Sequence, residues 1–242
     1  MKTPRCYTSN ALQEGRSIEL ETTSSHHLVN VLRMRAGQEI ILFNGQGGEF
    51  TARIEEAGKK TLRVQIVDFH EVDRESPLAV TLAQGISRGQ KMDFTLQKAV
   101  ELGVHRIVPV LNERTTLRLR GERRAKKHDH WQHIIVAACE QCGRNRLPEV
   151  LPAIGLDDWL ARDANAMKLV LDPTATQRLA GMPDPGRALT LLIGSEGGLS
   201  VEEIDRAVAC GYRRVGLGVR ILRTETAAVA ALGVCQSLWG DM

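Results

Sequence analysis

The stretch Leu191–Glu203, LLIGSEGGLSVEE, decides how this chain is read. An apolar run delivers a glycine-rich loop straight into a helix start. Gly194, Gly197 and Gly198 permit backbone conformations and close approaches that a Cβ would forbid, and Ser200 with Glu203 has the S-x-x-E spacing of a capping box. A second corner follows at Leu217–Thr226, LGVRILRTET, where Gly218 stands between the strand signal RRVGLG and the helix signal ETAAVAALGVCQSLWG. Strand, glycine and N-cap occur together at most βα junctions, so neither corner alone marks a site. Phosphate-loop readings fail, because no Walker lysine is followed by Ser or Thr and GSEGG is not G-x-G-x-x-G.

Outward from these corners, everything after Pro77 alternates. Strand signals fall at 78–86, 105–111, 168–172, 188–194 and 213–218, and helix signals at 90–102, 122–142, 156–161, 201–210 and 225–239. That rhythm predicts an α/β fold, a mainly parallel sheet with helices on both faces. The earlier residues differ. EIILF, NGQGG, EFTARI and TLRVQIVDF read as hairpins of a small antiparallel barrel or sandwich, with Gly45–Gly48 a turn rather than a nucleotide loop, since no helix follows it. SSHHLVNVLRMR at 24–35 reads as a helix capped by Ser24 or Ser25. The charged, proline-terminated run HEVDRESP at 70–77 sets the boundary, giving a first domain over 1–72 and a second over 76–242.

The chain has 242 residues, 43% of them hydrophobic, enough for a sizeable core, and a formal charge of +3. Residues 1–75 hold ten Lys and Arg against eleven Asp and Glu, so the positive excess lies in the second part. There RTTLRLRGERRAKK, 114–127, carries seven basic residues against Glu122, the pattern of a solvated helical face or of a polyanion-binding patch. MKTPRCYTSN lacks the apolar core of a signal peptide, and the uncharged run 226–240 is too short for a bilayer, so a cytoplasmic protein with no membrane partner is expected. Five cysteines do not suggest a disulfide framework.

Cys139 and Cys142, with His128, His130 and His133 upstream, offer a rival zinc or thiol chemistry. Against it, Trp131, Ile134, Ile135, Ala138 and Cys142 follow helical spacing, there is no second CxxC, and no standard zinc module has this spacing; a packed core is expected instead. Gln141, Gly143, Arg144, Asn145 and Arg146 form a donor-rich helix end, read either as a C-cap with Gly143 left-handed or as an RNA contact. Asp157, Asp158, Glu202 and Glu203 sit at helix starts, where acidic residues complement the dipole.

The pieces LRMRAGQEIILFNGQGGEF (32–50), SRGQKMDFTLQKAVELGVHRIVPV (87–110), ERTTLR (113–118), WQHIIVAACEQCGRNRLPEV (131–150), LLIGSEGGLSVEEI (191–204) and LGVRILRTETAAVAAL (217–232) occur in one order along the chain. Together they resemble the RsmE family, the ribosomal RNA uridine-N3 methyltransferases of the SPOUT superfamily. The family usually writes the first loop G-P-E-G-G. Here Ser195 replaces the proline, which frees φ and restores an amide donor.

The resemblance implies a SPOUT-type knotted parallel sheet preceded by a small PUA-like β-barrel, a homodimer, and transfer of the methyl of S-adenosylmethionine to N3 of a uridine in small-subunit (16S) ribosomal RNA, with no metal. Cofactor contacts would fall on Leu171, Ile193, Gly194, Glu196, Gly197, Leu217, Gly218, Val219, Ile221 and Leu222. Uridine N3–H is a weak acid, so a base or a cation is needed. Arg223 can supply the cation and Glu225 the acceptor, with helix capping and an ion pair as their plain structural alternative and Glu140 in reserve. RNA contacts are expected from Arg33, Arg35, Arg88, Lys91, Arg114, Arg118 and Arg144, with ribosomal RNA of the small subunit as the partner. Two other classes stay open: an RNA-binding barrel with a catalytically silent α/β partner, and a zinc or thiol enzyme built on CEQC.

Overall fold

The computed structural model describes residues 3–58, 61–117, 121–162 and 166–242. The chain divides into two compact units, Met1–Glu75 with Cys139–Leu147, and Ser76–Ala138 with Pro148–Met242. The return of 139–147 to the first unit is something a single cut near residue 75 does not anticipate.

The first unit contains β1 (Arg5–Tyr7), β2 (Ser17–Glu19), α1 (Thr22–His26), β3 (Glu39–Phe43), β4 (Glu49–Ala57) and β5 (Leu62–His70). They form a sheet in the order β1-β3-β4-β5-β2, antiparallel except where β1 runs parallel to β3. Alternate residues face one core: Ala52 and Ile54 on β4, Leu62, Val64 and Ile66 on β5, with Leu20, Leu28, Ile40 and Leu42. NGQGG is the β3–β4 turn, and Gly45, Gly47 and Gly48 all take positive φ there. The helix expected over 24–35 is shorter and irregular. It starts after Glu21, without a side-chain cap, and passes at His27–Val31 into a π-helical turn, while Ser25 is buried and donates to the Leu20 carbonyl.

The second unit follows the predicted alternation: β6 (Ala79–Gly85), α2 (Gln90–Glu101), β7 (Arg106–Leu111), α3 (Glu122–Cys142, its last turn in the first unit), β8 (Glu149–Val150), β9 (Ile154–Gly155), α4 (Leu156–Leu160), β10 (Met167–Leu171), β11 (Ala188–Ile193), α5 (Val201–Ala209), β12 (Arg213–Val215) and α6 (Thr224–Trp239). Every pairing is parallel, in the order β12-β10-β11-β6-β7-β8, with β9 beside β7. Helices cover both faces, so the strands bury side chains on each. Ala83, Val108, Val110, Val170 and Leu192 pack with α4 and α5 through Leu156, Trp159, Leu160 and Ala207. α6 contacts β11 and packs with α2. Trp159 and Tyr212 stay satisfied in that core through an indole-to-phenol hydrogen bond of 3.0 Å.

Candidate functional site

β10, β11 and β12 lie side by side in the order β12-β10-β11, and their last residues, Leu171, Ile193 and Val215, line one cavity of about 390 Å³. Ligands of open parallel sheets bind beyond the carboxyl ends of strands, and this volume is in the range of small-molecule pockets. Both glycine corners reach it: Gly194–Leu199 from the first, and Leu217, Gly218, Arg220, Ile221, Leu222 and Thr224 from the second.

The first corner is tightly held. Ser200 accepts from the Glu203 amide at 3.2 Å and Glu203 accepts from the Ser200 amide at 2.9 Å, the capping box read from sequence. The second oxygen of Glu203 accepts from the Glu113 amide at 2.7 Å. Asn112 donates to the Gly198 carbonyl at 2.9 Å and Arg114 to the Gly197 carbonyl at 2.9 Å. Glu196 accepts from the Arg88 amide at 3.0 Å and lies 3.5 Å from the Lys91 ammonium. Partial burial works against its ionisation, but these donors and the lysine hold its carboxyl below the usual range. A Cβ on Gly194 would stand 2.6 Å from the Gly198 backbone, which explains the glycine there. At Gly197 a Cβ would meet the Arg114 stem at 2.8 Å, so the constraint at that position is the arginine as well as any ligand. Ser195 is buried, and its hydroxyl has no partner among the described residues.

Nine of the ten residues expected around the cofactor line this cavity: Leu171, Ile193, Gly194, Glu196, Gly197, Leu217, Gly218, Ile221 and Leu222. Val219 does not; it is 83% exposed, its side chain turned to solvent from the loop. Sequence reasoning missed a polar end made by Asp172, Thr174 and Arg214. Asp172 is buried. It accepts from the Thr174 amide and hydroxyl at 2.8 Å each and pairs with Arg214 at 2.6 Å. Burial opposes ionisation, yet these bonds keep its carboxyl below the ordinary value. An Asp ending an apolar strand run, followed by Pro-Thr, was the available signal, since such residues form Asx turns.

Arg223 is exposed at the N-cap of α6 and makes no capping bond. Glu225, in the first turn, has a buried Oε2 without a partner among the described residues. Glu140 belongs to the first unit, where it accepts from the Tyr7 amide at 2.9 Å and burial pushes its carboxyl up. Arg33 and Arg35 are exposed in the first unit; Arg88, Lys91 and Arg114 gather around the glycine loop; Arg118 lies outside the described residues. Arg144 departs from expectation. It is 5% exposed and its guanidinium is held by Glu75, with Nε 3.0 Å from Oε1, so it presents no free cation to a phosphate. Gly143 is left-handed, φ 93°, and its amide closes α3 onto the Cys139 carbonyl at 2.9 Å, so this helix end is the C-cap. Burial pushes the Cys139 thiol up to about 12, against the thiolate that metal or redox chemistry requires. His128 is bonded to the Val150 carbonyl and His130 to Asp93.

Residues 74–236 match the model of an RNA methyltransferase domain and residues 20–67 that of an RNA methyltransferase PUA domain. Ribosomal RNA small subunit methyltransferase E of Buchnera aphidicola (subsp. Schizaphis graminum) is 37% identical over 99% of this chain and 98% of its own. The chain belongs to this family. It is an RNA methyltransferase with an α/β methyltransferase domain and an N-terminal PUA-type sheet domain. The Bacillus subtilis member is 30% identical over 93% of this chain and 91% of its own. A Neisseria gonorrhoeae member solved with S-adenosylmethionine is 42% identical over the full length of both chains, with a TM-score of 0.93. A methyltransferase from Legionella pneumophila, also solved with that cofactor, is 42% identical over both full lengths, with a TM-score of 0.97. No helix among the described residues is long and apolar enough to cross a membrane.

Proposed function

We propose that the protein binds S-adenosylmethionine in the cavity at the ends of β10, β11 and β12 and methylates N3 of a uridine in small-subunit ribosomal RNA. The observation that carries the reading is the convergence of two glycine corners, some twenty residues apart in sequence, on one cavity. The cavity suits this ligand: main chain and aliphatic side chains for an adenine, and buried Asp172 with Thr174 for hydroxyls. The binding set is Leu171, Ile193, Gly194, Glu196, Gly197, Leu217, Gly218, Ile221 and Leu222, together with Asp172. S-adenosylmethionine supplies an electrophilic methyl group on a sulfonium.

The chain's own residues align the base and manage one proton. Glu225, with a buried oxygen that has no partner among the described residues, beside the second corner, accepts the proton of N3–H. Arg223 stabilises the negative charge that spreads onto O2 and O4 as that proton leaves. Exposed Arg33, Arg35, Arg88 and Arg114, with Lys91, supply phosphate contacts. The cytoplasm, a homodimer and the knotted SPOUT topology belong to the same reading. The deciding experiment is mass spectrometry of ribosomal RNA nucleosides from cells with and without the protein. Loss of 3-methyluridine on deletion, restored by the wild-type chain and not by Arg223→Ala, is the expected result; an unchanged nucleoside profile would sink the reading.

A further inference from the structure

A buried side chain of the second unit, Gln84, touches both glycine corners without lining the cavity. Gln84, the penultimate residue of β6, is wholly buried and stands opposite Ile193 in the sheet. Its Nε2 donates to the Thr224 hydroxyl at 2.9 Å and to the Gly85 carbonyl at 3.0 Å, and lies 3.4 Å from the Gly194 carbonyl. The Thr224 hydroxyl in turn donates to the Gly194 carbonyl at 2.6 Å. Directions follow from the partners. Both carbonyls only accept, so the amide nitrogen must face them, and the single threonine proton goes to Gly194. The result is a chain running from the Gln84 N–H through the Thr224 O–H to the Gly194 carbonyl.

Gly194 is the first residue after β11, and Thr224 is the first residue of α6; both line the cavity. The Gln84 chain therefore fixes the separation of the two corners from beneath. Its own Oε1 finds no donor among the described residues, an arrangement that costs free energy and that leucine or methionine of similar volume would avoid. A site that only had to be filled would not keep an amide there.

We propose that Gln84 is a positioning residue of the methyl-transfer site, a buried latch that holds the Gly194 carbonyl and the start of α6 at the spacing the cofactor needs. The proposal rests on the assignment of the cavity to S-adenosylmethionine. Calorimetric titration of that cofactor into wild type, Gln84→Leu, Thr224→Val and Thr224→Ser, with melting temperatures recorded alongside, tests it. Gln84→Leu and Thr224→Val should each bind about tenfold more weakly, the size of one or two lost hydrogen bonds, while Thr224→Ser stays near wild type. Affinity for an RNA fragment should be unchanged in all.

Gln84→Glu adds a pH-dependent readout, with the melting temperature recorded at each pH so that loss of fold is told apart from loss of affinity. An ionised carboxylate would meet the Gly85 carbonyl with no proton to offer and would draw the Thr224 proton away from the Gly194 carbonyl, so cofactor affinity should be poor at pH 8 and recover toward pH 6, as the neutral acid regains a donor; wild type should show no such recovery. Folded Gln84→Leu and Thr224→Val with wild-type affinity would overturn the latch. Wild type without affinity for S-adenosylmethionine would instead overturn the cavity's assignment, so the two failures are distinguishable.

Discussion

Arg223 occupies a position that electrostatics disfavours. A helix start carries partial positive charge, so a cation at the N-cap of α6, exposed and without a capping bond, gains nothing from the fold. Its removal should leave stability unchanged within about 0.5 kcal/mol, the usual range for surface substitutions. Under the proposed chemistry, Arg223→Ala should slow single-turnover methylation by about a hundredfold with cofactor affinity intact, as expected for a group that acts on developing charge. A variant whose main defect is cofactor loss would make the residue structural. Asp172 gives a second test at this scale. Its carboxyl lies below the ordinary value in the folded protein, so the unfolded chain takes up the proton first as pH falls, and the stabilisation is complete above about pH 4 and lost below it. Asp172→Asn should lower the melting temperature at pH 7 and flatten its decline on acidification; parallel acid limbs for the two proteins would refute this.

At the scale of elements, α5 depends on a reciprocal cap whose glutamate also holds the Glu113 amide. Ser200→Ala should cost about 1 kcal/mol in urea denaturation, the typical value for an N-cap, and Glu203→Ala more, because two amides lose their acceptor. Equal costs would mean that the Glu113 bond is replaced by water. Elements with strong local signals were legible in the sequence. Residues 122–142 form a helix over that whole span because Gly143 ends it and no proline interrupts it. The two-residue strands β8 and β9 were not legible, since two residues carry no period. Nor was the π-helical turn at His27–Val31, whose departure from α-helical bonding leaves no mark in an apolar pattern. At the cavity, glycines announced the corners. Gln84 gave no such notice, because a polar residue at a strand end acquires its partners from segments distant in sequence, here Thr224.

At the scale of the molecule, the alternation after Pro77 gave the parallel sheet, but pattern could not show that 139–147 folds back into the first unit. Burial reverses the reading of Arg144 for the same reason: Glu75, its partner, lies 69 residues away. Two cations on the glycine loop, Arg114 and Lys91, couple it to the surface around it. Arg114 holds the Gly197 carbonyl and Lys91 faces Glu196, so a polyanion that draws these two side chains toward itself would loosen the loop that frames the cavity. Occupancy of one surface then taxes the other, and thermodynamic reciprocity makes the penalty equal in both directions. A saturating RNA fragment should weaken S-adenosylmethionine binding by the same factor by which the cofactor weakens RNA binding, and Arg114→Ala should shrink that factor. Such antagonism would help a finished enzyme let go: each ligand, while present, loosens the hold on its companion.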